Sequence, residues 1–184
     1  MTRGTARPSQ QVLTRSDVKG LGENVDASER REFVRSHRTA VFGYRRKADG
    51  PAMSIVYYVM DGDDMLVSTM AARGKAGAVR RDSMVSLCVL DEQWPPTYVV
   101  VYCDATVDTE ETAVVDLMMR IAGVMAGNPM PEAVRPMVAE GAKREDRVVL
   151  RLRPYATFYT PPRHVNSAAD LPALTHETSA STPW

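Results

Sequence analysis

Ser68 and Thr69 close an apolar, strand-like run, Arg73 and Lys75 open the next segment, and Arg80 and Arg81 end it. Hydroxyls at a strand end, free N–H groups at a helix start and two cations one residue apart can converge on a single anion, and a phosphate suits such a set. The same charges on a short helix facing water form the other reading, and spacing alone leaves both open.

Other chemistries lack their patterns. The sequence holds no Cys-x-x-Cys, His-Glu-x-x-His, Gly-x-Ser-x-Gly or P-loop, and Gly20 and Gly22 lack the third glycine and preceding strand of a dinucleotide fingerprint. His37, His164 and His176 are far apart, so no metal site and no histidine triad is expected, and no catalytic acid, base or nucleophile is assigned. Cys88 and Cys103 lie inside apolar runs and read as small buried hydrophobes. Tyr57, Trp94 and Tyr98 are the candidates for a substrate pocket over a planar ligand; aromatic residues on strands also serve core and interface packing. Met118, Met119, Met125, Met130 and Met137 read as adaptable packing of the late helices.

The elements that would position these groups follow from periodicity. Ser28 is the expected cap of a short polar helix over 28–35. Strands are expected over 39–46, 53–60 and 65–69, separated by the turn signals at 48–51 and 61–64, a meander of antiparallel hairpins. A basic helix spans 73–81, and a further apolar strand spans 84–90. In 97–107, Val99, Val101, Cys103, Ala105 and Val107 share one face, opposite Tyr98, Tyr102, Asp104 and Thr106. Helices follow over 110–126 and from Pro131 to about 143, then strands over 147–152 and 155–159. Sequential hairpins with helices inserted late predict a mainly β, α+β domain: a small antiparallel barrel with short helices.

The chain of 184 residues has the length of one domain, expected over 28–160, with flexible tails over 1–27 and 161–184 that are rich in polar residues, Pro and Ser. Lys plus Arg and Asp plus Glu each number 23, so no global field draws the chain to nucleic acid or an anionic membrane. Its longest apolar stretch, 52–60, is far shorter than the ~20 residues that cross a bilayer. The opening residues carry no apolar signal segment, and a cytoplasmic location is expected.

Six stretches carry a family resemblance: Ala-Val-Phe at 40–42, Asp-Gly-Pro-Ala-Met-Ser-Ile-Val-Tyr at 49–57, Met-Leu-Val-Ser-Thr at 65–69, Arg-Gly-Lys at 73–75, Val-Arg-Arg-Asp at 79–82 and Val-Ser-Leu-Cys-Val-Leu at 85–90. Together they resemble the pyridoxamine 5'-phosphate oxidase-like split β-barrels of the FMN-binding type, most of all the branch that uses the deazaflavin coenzyme F-420. In such proteins the Arg-x-Lys segment receives the cofactor phosphate, and the strand equivalent to 53–57 runs along the ring. Carried over by position, the resemblance implies Ser54, Val56, Ser68, Thr69, Arg73 and Lys75 as cofactor-binding. It implies an oxidoreductase passing a hydride from reduced F-420 to a small organic acceptor, with FMN as the alternative cofactor and a non-catalytic flavin or haem carrier as the alternative class. Beyond the resemblance, the apolar surface of strands 85–90 and 99–107 exceeds what one small barrel can bury, which points to a homodimer with its sites at the subunit interface.

Overall fold

The computed structural model describes residues 26–91, 97–160 and 181–184; Trp94 and most of both expected tails lie outside the described residues. Helix α1 (Ala27–Ser36) is capped by Asp26, not by Ser28 as the sequence suggested. The Asp26 carboxylate accepts the Glu29 N–H at 2.9 Å, and the Glu29 carboxylate takes the Asp26 N–H at 3.2 Å. The Ser28 hydroxyl donates to Asp26 instead of capping, and with the Glu29 N–H it holds the Asp26 carboxyl below its ordinary value.

Strands β1 (Thr39–Tyr44), β2 (Ala52–Tyr57), β3 (Val59–Asp61), β4 (Asp64–Met70), β5 (Met84–Asp91), β6 (Thr97–Asp108) and β7 (Arg147–Thr160) form one antiparallel sheet in the order β2-β1-β5-β6-β7-β4-β3. The single strand expected over 53–60 is two. Its first half pairs back with β1 and its second with β4, and Tyr58 stands at the break with its hydroxyl donating to Val34 O at 2.6 Å. The two ends of the sheet order are thus joined by one residue, which curls the sheet into a barrel. No ladder among the described residues links β2 to β3, so the barrel is split there. The two strands expected over 147–159 are one: Pro154, which has no N–H to give, lies beyond the stretch paired with β4, and a bulge at Tyr102 and Cys103 absorbs the irregularity.

Phe42, Val67, Leu87, Val101 and Leu150 fill the barrel, and the alternation read in β6 is observed. A second core lies outside it, where Val59, Leu66 and Val149 meet Val114, Leu117 and Met119 of α3 (Glu111–Ala126) and Ala142 of α4 (Arg135–Arg144). These helices cover β3, β4 and β7. On the outer side of the rest of the sheet, Met53, Ile55, Met84 and Tyr155 remain exposed, Ile55 by 77%. Cys88 belongs to this outer side and is only half-buried, whereas Cys103 is fully inside.

The last residues of the stretch expected as a C-terminal tail are in the sheet. Strand β8 (Thr182–Pro183) pairs with Ala156 and Thr157 of β7, on the edge that β4 leaves free. Arg30 donates to Pro183 O at 2.8 Å and Arg31 to Trp184 O at 2.5 Å, while the Trp184 ring packs against the barrel core and under the Arg31 guanidinium.

Candidate anion site

Strand β4 alternates strictly in a sheet covered on both sides. Val67 and Thr69 face the barrel, and Leu66, Ser68 and Met70 face α3. Met70 pairs with Arg147 and Ser68 with Val149, so Ser68 and Arg147 share the outer face. After Met70 the chain turns, with the Arg73 N–H bonded to Met70 O, into α2 (Gly74–Val79). At Gly74 a Cβ would stand 2.8 Å from the Tyr44 hydroxyl, so a larger residue there would displace the end of the Tyr44 side chain.

These elements enclose a cleft of 450 Å³. Its polar wall is Ser68, Thr69, Arg73, Lys75 and Arg147, Val56 and Tyr57 come from β2, and Met118, Ile121 and Met125 of α3 form the apolar wall. Lys75 reaches across to β2, donating from Nζ to Ser54 Oγ at 2.8 Å. Partial burial and then the neighbouring Arg73 charge push the Lys75 ammonium below its ordinary pKa, the expected state of a cation lacking a counter-ion. Arg147 is held at 2.6 Å by Glu145. The Ser68 hydroxyl is shut off from solvent and has no hydrogen-bond partner. A buried hydroxyl without a partner, in the wall of a cleft that also carries Arg73, Lys75 and Arg147, is one an oxyanion would complete once the side chain turns toward the cleft, and the residues present fit a phosphate.

All six residues implied as cofactor-binding thus gather at one place, with Ser54 joined through Lys75. Tyr57 lines the same cleft. Tyr98 does not: it sits on β6 with its ring 6.5 Å from that of Phe158. Trp94 is outside the described residues. Arg80 and Arg81 turn away, donating to Ala71 O and Gly77 O. Arg147 and the α3 wall were missed by sequence reasoning; the only signal for the wall was the 118, 121, 125 spacing, which reads equally well as core. Burial raises both thiols, Cys103 to about 12 with the Asp64 charge adding to it, so neither is an activated nucleophile. Among the described residues no cluster of three or more His, Cys, Asp or Glu could hold a metal ion, and no helix is long and apolar enough to cross a membrane.

The pyridoxamine 5'-phosphate oxidase family model matches residues 27–160, the whole of the barrel and its helices. The chain belongs to this family. No curated protein matches it. Among solved structures, the conserved hypothetical protein Rv2991 from Mycobacterium tuberculosis aligns with a TM-score of 0.64 at 21% identity, over 78% of this chain and 94% of that one. An F-420 reductase aligns at 0.51 and 18%, over 65% of this chain and 88% of its own, and HutZ, the haem storage protein from Vibrio cholerae, at 0.51 and 13%, over 70% and 89%. At these identities the likeness is one of fold.

Proposed function

We propose that the chain is an oxidoreductase that holds F-420 by its phosphate in the cleft of Ser68, Thr69, Arg73 and Lys75, and passes a hydride between that cofactor and a small organic acceptor. The observation that carries this reading is the unpartnered Ser68 hydroxyl beside the partly desolvated Lys75 ammonium, in a family whose fold is shared with an F-420 reductase. The cofactor supplies the redox chemistry. The chain's residues anchor the phosphate, while Val56 and Tyr57 border the ring's path along β2 and Met118, Ile121 and Met125 keep water from one side. Among the described residues no histidine lines the cleft.

The same reading makes the active unit a homodimer. The late helices cover β3, β4 and β7, leaving the outer faces of β2, β5 and the bulged part of β7 with Met53, Met84 and Tyr155 exposed. Ile55 stands both on that face and on the rim of the cleft, so a second copy seated there would close the cleft's open side. A cytoplasmic setting suits the two unpaired cysteines.

Titration of the purified chain with F-420, FMN and haem, followed by absorbance and fluorescence, tests the proposal. F-420 binding that falls tenfold or more in Lys75→Ala supports it. Micromolar FMN binding without F-420 binding transfers the site to the alternative cofactor, and haem binding alone overturns it.

A further inference from the structure

On the other side of α3 lies a larger groove of 1060 Å³, just above the roughly 300–1,000 Å³ typical of small-molecule sites. Its floor is buried and apolar: Tyr58, Val59, Met119 and Gly123. The Tyr58 hydroxyl is bonded to Val34 O and so is not free for a ligand in the groove. Val124 and Met130 extend the apolar wall.

The charged groups around this floor are unequal in their partners. Arg135 is bonded to both Asp116 and Glu132, which occupies the two carboxylates that line the groove. Arg35 is paired with Asp63 at 2.6 Å, and His37 lies 3.8 Å from Asp91. Among the described residues two guanidinium groups have no carboxylate: Arg120 donates to a carbonyl, Met60 O, and the Arg38 side chain has no hydrogen bond or ion pair there. Both line the same groove, Arg38 from the segment whose main-chain O takes the Tyr58 N–H at 3.1 Å and Arg120 from α3 with its guanidinium on Met60 O. The lining of an apolar groove therefore carries two guanidinium groups that no carboxylate pairs with among the described residues.

We infer that this groove is a second ligand site, separate from the phosphate cleft, for an amphipathic anion: a small carboxylate with an apolar body, its head on Arg38 and Arg120 and its body on Tyr58, Val59 and Met119. Apolar burial supplies the affinity, and the arginine pair selects the charge.

Isothermal titration of the full chain without added cofactor tests this with decanoate, decanol and decyltrimethylammonium, each below its micelle concentration. Decanoate binds one per chain, with decanol at least about tenfold weaker and the cation weaker still. Arg38→Glu, an exposed change that breaks no contact, lowers decanoate affinity about tenfold or more and leaves decanol unchanged, while Arg38→Lys retains binding. Val124→Trp, which fills the groove, abolishes decanoate and decanol binding alike. Lys75→Ala changes neither, which separates this site from the proposed cofactor cleft. Equal affinity for decanoate and decanol, binding lost in Lys75→Ala but kept in Arg38→Glu, or no binding of any of the three overturns the inference.

Discussion

Replacing Ser68 by alanine should move stability and ligand affinity in opposite directions. In the ligand-free chain the Ser68 hydroxyl is desolvated and unpartnered. A hydroxyl in that state costs about 1–3 kcal/mol, and alanine removes it with the loss of a single oxygen atom's packing. The lower end applies, because the residue is only half-buried. Ser68→Ala without ligand therefore gains about 1 kcal/mol, a rise in melting temperature of roughly 2–4 °C for a chain of this size. With a phosphate in the cleft the hydroxyl becomes a donor to a charged acceptor, and its loss weakens binding roughly tenfold. At a ligand concentration a hundred times the wild-type Kd, binding stabilises the wild type by about 2.7 kcal/mol and the variant by about 1.4. That difference exceeds the gain, so the stability order reverses as ligand is added. Thermal unfolding of both proteins across a series of phosphate and FMN concentrations reads the crossing. A variant that is less stable without ligand and binds with unchanged affinity would refute the reasoning, because the hydroxyl would then already be satisfied and no anion would meet it.

The remaining expectations concern the cation, the strap and the exposed face. Lys75→Ala should weaken binding of the cofactor phosphate roughly ten- to a hundredfold in a fluorescence titration. Because burial lowers the Lys75 pKa from 10.5, affinity in the wild type should begin to fall below that pH as the ammonium deprotonates, a fall that Lys75→Arg removes. In the ligand-free chain the sign is reversed: between the lowered pKa and 10.5 the unfolded state binds more protons, so stability rises with pH across that window. Trp184→Ala removes ring packing from the barrel core and the Arg31 contact, and should lower the unfolding free energy by about 1–2 kcal/mol in urea denaturation. Met84→Lys places a charge on the uncovered face away from the cleft; if the proposed dimer forms through that face, sedimentation should show the wild type as a dimer and the variant as a monomer, and an unchanged dimer counts against that face as the interface.

What was legible in the sequence was local. Ser68, Thr69, Arg73 and Lys75 lie within eight consecutive residues, and a strand followed by a short helix brings them together with no help from the rest of the chain. The β1–β2, β3–β4 and β5–β6 hairpins likewise follow from turns written in nearby residues, whereas the β1–β5, β6–β7 and β4–β7 pairings that close the barrel join distant segments. Arg147 could not be read the same way, because it reaches the cleft only through the pairing of β4 with β7. The break at Tyr58 was hidden in an unbroken apolar run, since what divides β2 from β3 is a change of partner strand and not a change of residue type. The α3 wall was visible as a stripe, but a helix can have two apolar faces. Leu117 is in the core beneath, while Met125 stands 60% exposed beside the cleft.

The cleft therefore depends on register more than on composition. In β4, Thr69 faces the barrel and Ser68 faces α3, and neighbouring pairs along β7 assign Val148 to the barrel core and Arg147 to the outer face. A slip of one residue between these strands would exchange the faces, sending the Arg147 guanidinium into the barrel and Val148 into the cleft. Burying the guanidinium away from its Glu145 partner is strongly unfavourable, so a residue that lines the cleft also penalises the wrong pairing. The apolar residues act in the same sense, since Val67 and Leu150 are fully buried partners inside the barrel and would be lost from it by the same slip. Core and site thus demand one register.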